Sequence, residues 1–322
     1  MKETIIIFGN INEMDIRLLE YEDLQRIVDY SFGDHSGVLG NVPNSYMKKA
    51  NINNLEFIEK MNSHTGEVMT LFIDNIRLYR RQIDYSDWLH KKPVSPQDRN
   101  WLSQFDDEDL LDLCSKFPGK QFAIFTAFED TPLDHFIEGR IPENVRSINA
   151  TNAVYLCDKI HPMPHGLERI MYHGYDHHDI LRRYMNIDTP ADKLMYVNHR
   201  EDTGERGSLR DMFRGWATIS ERLQYEPYIS SLKQHKFILC PSGNGIGSAR
   251  NWETLYMRRV PVLEWHPYKE VVFKGFPVLY VDSYSNLTPD LLEKNMHLYH
   301  DALKMDMKNL DLMKIYNERI LI

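Results

Sequence analysis

Residues 236–263, KFILCPSGNGIGSARNWETLYMRRVPVL, combine three glycines, an arginine and a carboxylate at spacings that suit an anionic ligand. Gly243, Gly245 and Gly247 permit a tight turn and let a ligand approach the backbone closely. Arg250 falls in the first turn of the helix expected next, where a cation opposes the helix dipole. A bound diphosphate would remove that conflict. Glu253, one turn further on, suits the dipole as a purely structural residue, and it also has the chemistry to accept hydrogen bonds from ribose hydroxyls. Free amides at a helix N-terminus behind a glycine turn attract phosphate. Two familiar phosphate motifs do not fit. A P-loop needs Gly-Lys-Ser/Thr, and the run here ends in Gly247-Ser248-Ala249; the dinucleotide fingerprint G-x-G-x-x-G needs glycine where Ser248 stands. The plain alternative is a tight strand-to-helix turn with no ligand.

The elements that position these residues follow from hydrophobic spacing. Residues 237–240 form a short apolar run bounded by Pro and Gly, the mark of a buried strand. Residues 249–259 turn helical, with Trp252, Leu255 and Tyr256 on one face, and 260–263 read as a second strand.

As a whole string, this stretch resembles the donor-binding segment of exostosin-like glycosyltransferases. Their pattern is roughly F-x-hydrophobic-x-P-x-G-x-G, then R-x-W-E-x-L and a strand opening with Pro-Val. It is met here by Phe237, Pro241, Gly243, Gly245, Arg250, Trp252, Glu253, Leu255, Pro261 and Val262. The family often carries Asp and His just before the arginine, where this chain has Gly247, Ser248 and Ala249. The resemblance is strong over 228–281 and weaker back to 194.

That resemblance implies the GT-B architecture, α/β with two Rossmann-like domains of mainly parallel sheet facing across a cleft. An acceptor-side domain would span 1–170 and a nucleotide-sugar domain 171–322, the last helix packing back on the first domain. The implied reaction is inverting, metal-independent transfer of a hexosyl or pentosyl group from a nucleotide diphosphate sugar, UDP-sugar favoured, to a glycan hydroxyl. The donor would be held by Asn198, Arg200, Arg206, Pro241, Ser242, Gly243, Asn244, Gly245, Ile246, Arg250, Glu253 and Glu264. Arg250, the helix N-terminus and the glycine-loop amides would bear the leaving diphosphate's charge. The alternative is a catalytically inactive glycan- or nucleotide-binding protein on the same fold. Exostosins of eukaryotes are usually membrane-anchored; this sequence shows no such anchor and reads as cytoplasmic, of bacterial or viral origin.

Composition agrees with a globular enzyme. The 322 residues are 42% hydrophobic and 26% charged, enough for two domains. A net charge of −9 without a Lys/Arg run argues against nucleic acid or an anionic membrane as partner. Cys114, Cys157 and Cys240 are not closely spaced, which fits a reducing compartment. The apolar run of MKETIIIFGN is too short for a signal peptide, and no stretch of about 18 apolar residues exists.

Along the chain, 4–8 reads as a first strand and 18–30 as a helix. The loop 31–37 follows, where Asp34 and His35 form an acid–base pair or a solvated turn. Residues 67–73 and 121–126 read as strands. Glu129 and Asp130, beyond the second, are candidates for the general base, Asp130 first, Glu129 next and Asp34 third. Their structural alternative is capping of a helix starting at Pro132. Strands are expected at 145–148 and 159–162, with His165 facing the cleft, and 172–191 as a polar connection. His173, His177 and His178 lack a clear zinc pattern and read as structural or surface histidines. Residues 194–198 read as a strand, 199–210 as a charged loop and then a helix to 221, 228–234 as a helix, 276–281 as a strand. Thr288-Pro289 caps a helix through 303, and 309–320 forms the last helix.

Overall fold

The computed structural model describes residues 30–32, 51–52, 54–66, 68–73, 110–126, 132–167, 176–187, 190–201, 206, 209–243, 245–311 and 314–315. The strand expected at 4–8, the loop carrying Asp34 and His35, the carboxylates Glu129 and Asp130, His173 and Asn244 lie outside these residues.

The described strands form two sheets. The first contains β1 (Tyr30–Phe32), β2 (Asn51–Ile52), β3 (Val68–Ile73), β4 (Gln121–Thr126), β5 (Val145–Ala150) and β6 (Ile160–Pro162), in the order β2-β1-β3-β4-β5-β6. The second contains β7 (Lys193–Val197), β8 (Thr218–Ile219), β9 (His235–Leu239), β10 (Val260–Glu264) and β11 (Leu279–Val281), in the order β11-β10-β9-β7-β8. Every pairing between these strands is parallel. Parallel neighbours require crossover connections, so the strand–helix alternation of the sequence becomes an α/β fold with two doubly wound sheets.

Burial explains the strand sequences. In β4 every residue after Gln121 is buried, as in a sheet covered on both faces. In the second sheet the two faces separate with period two. Met195, Val197, Phe237, Leu239, Val260 and Val262 enter one core cluster. Tyr196, Ile238, Cys240 and Leu263 enter another, which runs on into Phe122, Ile148 and Met163 of the first half. The second sheet therefore shares one of its cores with the first half of the chain.

Both orders reverse direction once, between β1 and β3 in the first sheet and between β7 and β9 in the second. At such a reversal the loops leaving adjacent strands diverge to opposite faces, and a crevice opens at their C-terminal ends. In the second sheet those loops begin at Asn198 and Cys240.

Several local expectations change. Tyr30–Phe32 is a strand paired on both sides, so Ser31 and Phe32 belong to the sheet and not to a loop. No helix starts at Pro132: Leu133 bridges to Ala153 and only a 3₁₀ turn, His135–Ile137, follows. The supposed polar connection contains α3 (Asp176–Met185), preceded in the chain by α1 (Asn54–Ser63) and α2 (Leu110–Ser115). Leu181 is fully buried, and His177 stacks on Tyr225 at 3.8 Å between centroids. Packing of a few apolar residues thus carries a helix whose average polarity suggests a loop. After β7, the helix expected to reach 221 is only α4 (Leu209–Met212), ended by Gly215 at φ 96°, and β8 takes the remaining length as an edge strand. Thr288 does cap a helix, accepting from Leu291 N at 3.2 Å. That helix divides at Asn295 into α8 (Pro289–Lys294) and α9 (Met296–Lys304), after α5 (Tyr225–Gln234), α6 (Ala249–Tyr256) and α7 (Pro267–Val272). Of the helix expected at 309–320, residues 309–310 belong to a 3₁₀ turn, Met307–Leu310, and Lys314 and Ile315 are helical; 312–313 and 316–320 lie outside the described residues.

Candidate functional site

The crevice of the second sheet gathers cations. Arg206, on the loop after β7, donates from Nε to the Ser242 carbonyl at 2.6 Å and from Nη2 to the Pro241 carbonyl at 2.8 Å. It thereby clamps the start of the glycine loop. Burial and the neighbouring Arg250 pull its guanidinium down to about 10, still protonated at neutral pH. Arg250, the second residue of α6, lies with its guanidinium 5.2 Å from the Tyr228 ring centroid, a cation–π contact. The side chain is partly buried, and its Nη1 is enclosed without a hydrogen-bond partner. Burial disfavours the charge, yet Tyr228, Cys240 and Glu253 around it hold its pKa above the ordinary value. Lys269 of α7 is almost wholly buried and reaches beneath the loop, donating to Ser242 Oγ at 3.0 Å and to the Glu264 carbonyl at 3.1 Å. Burial draws it down to about 8.

The carboxylates nearby are engaged. Glu253, 6% exposed, accepts from the Tyr228 hydroxyl at 2.8 Å. Glu264 Oε1 accepts from Tyr284 N at 3.2 Å. Arg183, Arg210 and Arg214 are held in ion pairs. Among the described residues, Arg206, Arg250 and Lys269 have no ion-pair partner. These three cations thus gather at the carboxyl ends of β7, β9 and β10, and their summed charge gives the crevice a positive potential.

The glycine loop is shaped by the other half of the chain. Asn152, at φ 56° after β5, accepts from Ile246 N through Oδ1 at 2.8 Å. A Cβ on Gly247 would stand 3.0 Å from His165 Cβ, a tight contact that reflects the close approach of that loop. Tyr268 of α7 donates to the Met163 carbonyl at 2.6 Å. These contacts place the ends of β5 and β6 against the glycine loop and α7. His165, expected at the cleft, stands at this junction.

The sequence-derived donor residues divide accordingly. Arg206, Arg250, Ser242, Pro241, Gly243, Gly245, Ile246, Glu253 and Glu264 come together around the crevice. Two loop amides expected to face the ligand are committed within the protein: Gly243 N donates to Gly245 O at 3.0 Å, and Ile246 N to Asn152. Cationic side chains, more than those amides, supply the positive potential. Asn198 also differs from expectation, because its Nδ2 donates to Ser220 O, Ser220 Oγ and Glu221 O and so secures β8. Arg200 is exposed beside the cluster and helps lower the pKa of Arg206. Sequence reasoning missed Lys269, His199 and Asn152. Lys269 had a usable signal, a lysine one turn into the helix after β10. Nothing local distinguished Asn152. Of the histidine group, His178 is buried and His177 stacked, and among the described residues no three His, Cys, Asp or Glu side chains group as metal ligands.

The fold and site define a doubly wound α/β protein with a cation-lined crevice at a topological switch point. No protein-family model matches the chain, and no curated protein does; the exostosin-like motif stands as a resemblance of one segment. Among solved structures, the chain is similar to an alpha1,3-fucosyltransferase at TM-score 0.40 and 10% identity, over 93% of this chain and 84% of that one. It is similar to an alpha1,3-fucosyltransferase with GDP-fucose at TM-score 0.38 and 11% identity, over 98% and 86%. A UDP-GlcNAc 2-epimerase from Methanocaldococcus jannaschii follows at TM-score 0.30 and 12% identity, over 85% and 76%. Among the described residues no helix is long and apolar enough to cross a membrane.

Proposed function

We propose that this protein is a glycosyltransferase that moves a sugar from a nucleotide diphosphate sugar, UDP-sugar favoured, to a hydroxyl of a glycan acceptor. The observation that carries the reading is the set of three cations, Arg206, Arg250 and Lys269, with no ion-pair partner among the described residues, around the loop that resembles the donor-binding motif. A diphosphate placed there would meet Arg250, with Arg206 clamping the start of the loop and the buried Lys269 adding its charge from beneath. Glu253 and Glu264 stand at the margin, suited to hydroxyls of ribose or donor sugar.

The transfer is an inverting single displacement. The acceptor oxygen forms its bond to the anomeric carbon as the bond from that carbon to the diphosphate oxygen breaks, and a carboxylate takes the acceptor proton. Asp130, then Glu129, then Asp34 are the proposed bases. Charge developing on the leaving diphosphate is stabilised by fixed cations, which supply what a divalent ion would otherwise supply; activity is therefore expected to survive chelation.

The test is binding and turnover with a panel of UDP-, GDP- and TDP-sugars, wild type beside Arg250→Ala. One nucleotide sugar is expected to bind and release its nucleoside diphosphate, with kcat/KM lowered by ~10²-fold or more in the variant. Binding without release, with acceptors present, would favour a non-catalytic binding protein. Absence of binding across the panel would overturn the reading.

A further inference from the structure

One group in the cation cluster has no role so far. His199 leaves β7 at the reversal of strand order and is 5% exposed. Neither of its ring nitrogens makes a hydrogen bond of normal geometry. Its charged neighbours are cations: Arg250 from α6, Arg206 from the following loop and Arg210 from α4. Among the described residues, the Arg206 backbone favours its protonated form. The carboxylates Glu201 and Glu221 lie at the solvent side and are paired with Arg210. A buried imidazole whose nitrogens make no hydrogen bond of normal geometry costs free energy, and an anion held among the three guanidinium groups would relieve that cost.

We propose that His199 is a ligand-binding residue of the diphosphate site and that it takes up one proton from solvent when a nucleotide diphosphate sugar enters. This rests on the diphosphate reading of the crevice. Without ligand, burial, Arg250 and Arg206 push the imidazole down to about 4, so it is neutral near pH 7. A diphosphate brings two negative charges into the same enclosure. Opposite charge beside a buried imidazole favours its charged form. Both ring nitrogens then become donors, and a phosphate oxygen is an acceptor for one of them. Free and bound states thus differ by a proton on His199.

A nucleotide sugar is the suitable probe because its doubly esterified diphosphate has no group that titrates near neutral pH. Titration calorimetry of the panel's UDP- and GDP-sugars at pH 6, in buffers of different ionisation enthalpy, counts protons taken up per site. At this pH Lys269 is already charged, so it does not contribute. The expected uptake is ~0.5–1 proton, fading as pH falls toward 4, where free His199 is itself protonated. His199→Asn is expected to bind more weakly, by ~10-fold, with no proton uptake. Should that variant fail to fold, the imidazole nitrogen shifts of wild-type protein with and without the nucleotide sugar provide the same answer. A ring that becomes doubly protonated on binding supports the proposal. Binding with no proton uptake, uptake unchanged in His199→Asn, or nitrogen shifts unmoved by ligand would overturn it while leaving the diphosphate site intact. Failure of every nucleotide sugar to bind would overturn both.

Discussion

At the scale of single residues, the molecule keeps positive charge where burial makes charge costly. Lys269 shows the consequence for pH. Its ordinary pKa of 10.5 is lowered by burial to about 8 in the folded protein. Between those values the unfolded chain holds a proton that the folded chain has lost, so this group makes stability rise with pH over that window. Ligand affinity moves in the opposite sense, because an anion needs the ammonium. Affinity for the nucleotide sugar is expected to fall as pH rises through about 8, and Lys269→Met should flatten that limb of the binding profile. An unchanged limb in the variant would remove Lys269 from the site. The proposed base is tested in the same way. Asp130→Asn should lower kcat by ~10²-fold or more with nucleotide-sugar affinity retained, and a full rate would pass the role to Glu129 or Asp34.

At the scale of elements, α6 is the piece on which the site depends. Its Trp252 is fully buried against Phe273, at 4.9 Å between centroids, and Phe276, at 6.0 Å and 84°. Its C-terminal end is tied down by the Tyr256 hydroxyl, which donates to Leu310 O at 3.0 Å. One face thus anchors the helix so that Arg250 and Glu253 are presented from the first turns. Trp252→Ala is expected to cost ~3–5 kcal/mol in denaturant unfolding, the usual loss for emptying a large aromatic site. The adjoining β10 is held at its start by Arg259, whose guanidinium donates to the Lys233 and Arg258 carbonyls and satisfies the end of α5. That explains a buried arginine far from the crevice without invoking a ligand.

At the scale of the whole molecule, the two halves meet through a shared hydrophobic core and through specific polar contacts. The Ile246 amide donates to Asn152 Oδ1 and the Tyr268 hydroxyl to Met163 O. Asn152→Ala leaves a partly buried amide without its acceptor and is expected to cost ~1–3 kcal/mol. Because that amide belongs to the glycine loop, nucleotide-sugar affinity should fall as well. Tyr268→Phe removes a bond outside the loop and should cost ~1 kcal/mol with affinity nearly unchanged. Thermal melts with and without the nucleotide sugar separate the two outcomes, since ligand stabilisation scales with affinity. Equal ligand-induced shifts in both variants would mean that the junction does not shape the loop.

Local pattern was sufficient wherever burial imposes a simple period. The strands at 121–126, 237–240 and 260–263 and the helix after the glycine loop are legible because a strand covered on both faces must be apolar throughout, and a helix on a sheet must repeat near every fourth residue. Arg250 was legible because a cation in the first turn of a helix opposes its dipole, the glycines because they let a ligand approach the backbone, and Arg206 through the family resemblance. What the sequence could not contain is distance. Asn152 and Ile246 are 94 positions apart, and only the packing of two sheets brings them to 2.8 Å. Lys269 and His199 look like ordinary surface residues until the fold encloses them, and the two loop amides looked free until their acceptors came within reach. The polar stretch around α3 became a helix because Leu181 found a core and His177 a tyrosine to stack on. Chemistry-bearing residue types can be read from one dimension, but the electrostatic balance at the crevice depends on which charges share a low-dielectric enclosure, and tertiary structure alone decides that.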